Sequence, residues 1–82
     1  MIHPTGPSDA QIAAALMDLA LARAPKTFCP SEAARALSPN WRPLMPRIRA
    51  IAATLPLTAT QRGAPVDPVT AKGPIRLGLP PP

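Results

Sequence analysis

The sequence predicts a mainly α domain closed by a small antiparallel sheet, and three observations carry that prediction. Apolar residues recur at helical spacing in three segments before Leu55, and two short segments after it alternate at the period of a strand. Fourteen prolines, each lacking an amide donor and fixing φ, keep every element short. A chain of 82 residues makes one domain, which excludes a two-domain enzyme. Its hydrophobic residues comprise 16 alanines, Cys29 and 21 large side chains, enough for one small core.

Residues 1–7 hold two prolines and a glycine before any periodic segment and are expected to be a flexible lead-in. Order begins at Ser8, which suits an N-cap. Asp9 follows in the first turn, where the helix dipole favours an acid, and Gln11 completes a capping box. The first helix runs to about Ala24, stopped by Pro25. Leu19, Ile12, Leu16, Ala20, Ala13, Met17 and Leu21 cover an arc of roughly 200° when projected at the helical angle. So broad a face implies contact with more than one partner element.

Lys26 to Cys29 reads as a short extended link whose Phe28 closes over the core. Pro30 suits the first position of a second helix, Glu32 lies near its positive end, and the helix reaches about Leu37, exposing Arg35. Ser38, Pro39 and Asn40 form a turn. Trp41, Leu44, Met45, Ile48, Ile51, Ala52 and Leu55 then follow the spacing of a third amphipathic helix, with Asn40 available as its cap. Pro46 would remove a bond from its second turn, so either a kink or a separate turn before a helix beginning at Pro46 is expected. Arg42 and Arg49 fall on one flank of this helix and Arg47 on the other, all facing outward.

Leu57 to Gln61 and Ile75 to Leu79 read as two strands. The intervening Arg62 to Pro74 is too long for a tight hairpin, and Asp67-Pro68 is a turn start because the carboxylate accepts downstream amides while proline presets φ. Residues 80–82 form a stiff proline tail with no expected part in the core, so the domain proper spans 8–79. Leu16, Leu19, Phe28, Leu37, Trp41, Ile48, Ile51 and Leu77 are the expected core. Three helices, an extended stretch between the first two, and a two- or three-stranded antiparallel sheet with a long basic loop give the order of a winged helix-turn-helix.

The net charge of +5 is unevenly placed. Five arginines and no acid lie between Ala33 and Val66, so the whole excess sits there. Such an imbalance attracts polyanions, although exposed arginines also serve merely to keep a protein in solution. In the expected architecture the third helix enters the major groove and the wing meets the neighbouring backbone. That placement makes Arg42, Arg47, Arg49, Arg62, Lys72 and Arg76 the expected nucleic-acid contacts, with DNA favoured over RNA. The alternative is a protein-interaction module whose arginines meet an acidic partner.

Several segments together resemble a family of small bacterial proteins known as a domain of unknown function. They are Phe28 to Glu32 with Ala34 to Leu37, Trp41 to Pro46, Thr60 to Gly63 with Pro65 to Pro68, and Thr70 to Arg76. The resemblance covers about Ile12 to Leu77. It implies a winged-helix fold and no particular activity, and it supplies no functional residue. The chain departs from it between the third helix and the following strand, where only Leu55, Pro56 and Leu57 stand in place of a longer link.

Catalysis, metal binding and membrane insertion find little support in these residues. Cys29, before a predicted helix N-terminus, could be a reactive thiolate, but the sole histidine, His3, lies in the lead-in and cysteine is commonly a small buried hydrophobe. Glu32 and Asp67 are better explained by a helix dipole and a turn than as an acid/base pair. One cysteine and one histidine make neither a disulfide nor the usual four-ligand zinc site, and no cofactor is expected. Trp41 could stack on a base, but its place on the apolar stripe favours the core. Thr60 to Gly63 could cradle a phosphate with backbone amides or simply turn the wing. The longest apolar run, Ala13 to Leu21, contains Asp18 and is about half of a membrane span, and the first seven residues lack the basic start of a secretory signal. A cytoplasmic, non-enzymatic binding protein is the resulting expectation.

Overall fold

The computed structural model describes residues 6–81; most of the expected lead-in, with His3, and the last residue of the proline tail lie outside the described residues. Three α-helices, α1 (Asp9–Arg23), α2 (Pro30–Leu37) and α3 (Met45–Ala52), precede three strands, β1 (Thr58–Gln61), β2 (Ala64–Pro65) and β3 (Arg76–Gly78). The result is a mainly α, winged helix-like fold.

Local chemistry explains the helix starts. The hydroxyl of Ser8 accepts from the Gln11 amide at 3.1 Å while the Gln11 side chain accepts from the Ser8 amide at 2.8 Å, so both halves of the expected capping box form. At α2 the Glu32 carboxylate accepts from the Cys29 amide at 3.2 Å, and Pro30 occupies the first helical position, where no amide is missed. Before α3 the chain makes a separate 3₁₀ turn, Arg42–Leu44. That is the second of the two arrangements expected from Pro46, which stands within the first turn of α3 and breaks no intrahelical bond there. Asn40 does not cap this helix. Its amide instead donates to the Ser38 hydroxyl at 3.2 Å, closing a local turn, and Leu44 occupies the capping position.

The helices pack on one another, and α1 also reaches β3, as its broad apolar face requires. Ile12, Leu16 and Ala20 form its buried line. Leu21, at the far edge of the expected arc, is 63% exposed, so the working stripe is narrower than the apolar arc. Phe28, Ile48, Ile75 and Leu77 complete the large buried set. Leu19, Leu37, Trp41 and Ile51, expected to be buried, are half-buried and pack around the core's rim. Much of the centre is built from Ala20, Ala33, Ala34, Ala52 and Ala59, whose small side chains let short elements approach closely.

In the sheet, β1 is central and pairs antiparallel with both β2 and β3. The expected extended link takes part too: Phe28 and Leu77 exchange backbone hydrogen bonds of 2.8 and 2.9 Å, tying the segment between α1 and α2 to β3. The stretch after β1 corrects the expectation of a long loop. Gln61 faces Ala64 across a two-residue turn in which Arg62 (φ 53) and Gly63 (φ 82) both have positive φ, the requirement of a type I′ hairpin. Only residues 66–75 are left as a loop. There Asp67 behaves as expected, its carboxylate accepting from the Val69 amide at 2.8 Å.

Candidate nucleic-acid interface

The six expected contact residues divide into two groups. Arg47, Arg49 and Arg76 are engaged within the fold. Arg47, on α3, donates to the Asp9 carboxylate at 2.6 Å and so pins the first turn of α1. Arg49, on the same helix, turns inward to the wing rather than outward: it donates to the carbonyls of Ala71 and Gly73 at 2.6 and 2.5 Å and is half-buried. Arg76 lies on β3 and donates to the hydroxyl and carbonyl of Thr27 at 3.1 and 2.8 Å, fastening the extended link beside α2. Backbone carbonyls of irregular segments need donors, and Arg49 and Arg76 supply them.

Arg42, Arg62 and Lys72 are exposed and form no ion pair among the described residues. Arg42 stands in the 3₁₀ turn leading into α3. Arg62 occupies the tip of the β1–β2 hairpin, and Lys72 sits in the wing loop opposite it. Together with Gln61, Gly73 and Pro74 these last two line an open cleft of about 560 Å³.

Within the cleft, Gln61 ties the β1–β2 hairpin to the wing loop. Its amide nitrogen donates to the carbonyls of Lys72 at 2.6 Å and Pro74 at 3.1 Å. Arg49 holds the same stretch from the helix side. Two side chains from different elements thus fix the backbone that presents Lys72. The Thr60 to Gly63 segment serves as strand and hairpin turn, with the Gln61 side chain committed to the wing.

Trp41 is half-buried against the core, and two guanidinium groups lie over its ring. The Cζ atoms of Arg35 and Arg42 are 4.6 and 4.5 Å from the ring centroid. Arg35 is exposed, as its helical position predicts, and stands outside the six expected contacts. The signal that could have singled it out was the placement of an arginine in the last turn before a lone tryptophan, with no acid in the chain from Ala33 to Val66.

The carboxyl of Glu32 has a lowered pKa. Its hydrogen bond with Arg23, 2.6 Å at the shortest, holds the carboxyl below the usual carboxylate range; partial burial opposes this, and the Cys29 amide and the charge of Arg76 add to it. The Cys29 thiol is half-buried and lies 3.1 Å from the Ser31 hydroxyl. No three metal-ligating side chains come together among the described residues, and no described helix is long and apolar enough to cross a membrane.

A search of curated proteins found no match. Residues 9–80, nearly the whole described chain, match the family described as "Protein of unknown function (DUF3253)", and the chain belongs to that family.

Proposed function

We propose that this domain is a cytoplasmic, non-enzymatic nucleic-acid-binding protein that meets duplex DNA with the start of its third helix and with its wing. The observation that carries this reading is the state of Arg42, Arg62 and Lys72: exposed cations with no ion-pair partner among the described residues, set in or beside a stretch that contains no acid from Ala33 to Val66. Arg49 and Gln61 add support, because a wing fastened to α3 presents its cation at a fixed position, and a contact ordered in advance loses less entropy on binding. The large apolar side chains exposed among the described residues are Leu21 and Val69, isolated from each other in sequence and element. A partner would therefore meet charge rather than an apolar patch.

Fluorescence anisotropy of a labelled random duplex across a salt titration tests the reading. Three cations that each neutralise one phosphate contribute a slope of roughly −2.7 in log affinity against log salt. Single-stranded DNA and RNA of the same sequence belong in the experiment. A preference for either would move the interface away from a duplex groove. No binding to any of the three at about 50 mM salt would sink the reading and leave an acidic protein as the partner to seek.

A further inference from the structure

Arg35 and Arg42 come from different elements, the last turn of α2 and the 3₁₀ turn before α3, yet both are brought to one indole. With Cζ atoms 4.6 and 4.5 Å from the same centroid, their charged groups are at most about 9 Å apart. Like charges held so close repel. Ordinarily a carboxylate between them would neutralise the pair, but neither arginine forms an ion pair or a side-chain hydrogen bond among the described residues, and no acid occurs from Ala33 to Val66. The ring face offsets part of the repulsion and orders both side chains. A guanidinium lying over a ring keeps its N–H edges free, and those edges form a planar fork suited to phosphate oxygens.

We propose that Trp41 holds Arg35 and Arg42 as a paired clamp for two successive phosphates of one nucleic-acid strand. Arg35 is thereby a contact contributed by the second helix. Trp41 is a positioning residue whose ring is occupied by arginine rather than offered to a base. The spacing of the two guanidinium groups lies within the reach of neighbouring phosphates along a strand. The partly buried indole, anchored against the core, fixes where the pair stands. The proposal rests on the nucleic-acid reading above and adds to it one phosphate contact and the reason for a lone tryptophan at this position.

The test uses the full chain, a labelled random duplex and its single strand, with anisotropy read across a salt titration. Trp41 is the sole tryptophan, so its emission reports on the clamp in the same samples. Arg35→Gln and Arg42→Gln should each flatten the salt slope by about 0.9, and the double variant by about 1.8. Arg35→Lys keeps the charge but loses the planar guanidinium, so the slope should hold while affinity falls about two- to five-fold. Trp41→Leu should weaken binding at an unchanged slope and Trp41→Phe should recover most of the loss, with thermal unfolding followed for both. Duplex binding by the wild type with no change of slope or affinity in Arg35→Gln would overturn the clamp and leave the nucleic-acid reading standing. Absence of binding by the wild type at about 50 mM salt would overturn both. A preference for single strands, with Trp41 emission quenched equally in the wild type and the double variant, would make the indole a base-stacking group and also overturn the clamp.

Discussion

Arg49 donates a 2.6 Å hydrogen bond to the carbonyl of Ala71, joining the third helix to the wing across 22 residues of chain. A second bond to the Gly73 carbonyl makes the attachment two-pronged. Charge-assisted bonds of this kind are among the stronger ones, and removing the donor leaves two carbonyls to find water. Arg49→Ala should therefore cost about 1–3 kcal/mol in chemical denaturation. Because this guanidinium is committed to the fold, Arg49→Gln should change the DNA salt slope by much less than Arg42→Gln does. An equal loss of slope from both would show that Arg49 leaves the wing to meet phosphate.

That bond also marks where the sequence stops being readable. The helices were legible because their determinants are local: Ser8 with Gln11, Pro25 after the first helix, Pro30 with Glu32 at the second, Pro46 at the third. The β1–β3 pair was legible from period-two alternation. The hairpin at Arg62-Gly63 was not, because the usual signal is Asn-Gly or Asp-Gly and arginine is a poor choice for positive φ. The arginines on and around α3 looked alike in the sequence, for their spacing says which flank of a helix they leave but not what stands there. Asp9 lies 38 residues from Arg47, and the wing carbonyls 22 and 24 from Arg49. Alanine tells least of all: Ala14 is exposed while Ala33 and Ala34 are fully buried, and only packing separates them.

The core makes a plain prediction. Leu16 is fully buried on the helix that touches α2, α3 and β3. Leu16→Ala should destabilise the domain by about 2–4 kcal/mol, from lost transfer energy and the cavity left behind. In a domain of this size that is a large part of the total. Thermal denaturation reads it directly, and an unchanged melting temperature would remove α1 from the centre of the fold.

Glu32 gives a pH dependence of known sign. Arg23 holds its carboxyl below the usual range, so the folded state binds the proton less readily than the unfolded chain. The stabilisation is complete above the unfolded glutamate's pKa, about 4.3, and is lost as the pH falls through the lower folded value. Both partners are partly exposed, so the pair should contribute less than about 1 kcal/mol. Denaturation of the wild type and of Glu32→Gln, compared at neutral pH and near pH 3, should show a difference that shrinks in acid. A difference that grew there would reverse the assignment.

Arg62 joins stability and binding in opposite directions. Its φ of 53 places an ordinary side chain in the left-handed region, which costs an L-residue about 1–2 kcal/mol relative to extended or helical backbone. Asparagine tolerates that region, and Asn-Gly is the favoured pair for a type I′ turn of this length. Nothing in the hairpin needs a guanidinium: among the described residues Arg62 makes no ion pair, and its side chain is exposed. Backbone strain retained where a better residue exists points to a use for the side chain at the wing tip. Arg62→Asn should then raise stability by about 0.5–1 kcal/mol, which for a domain of this size is a few degrees in melting temperature. The same variant should flatten the DNA salt slope by about 0.9. A more stable protein with unaltered binding would take the hairpin tip out of the interface, and an unchanged or lower melting temperature would mean that the turn holds arginine without strain. Both shifts appearing together would identify Arg62 as a position where stability is given up for contact with phosphate.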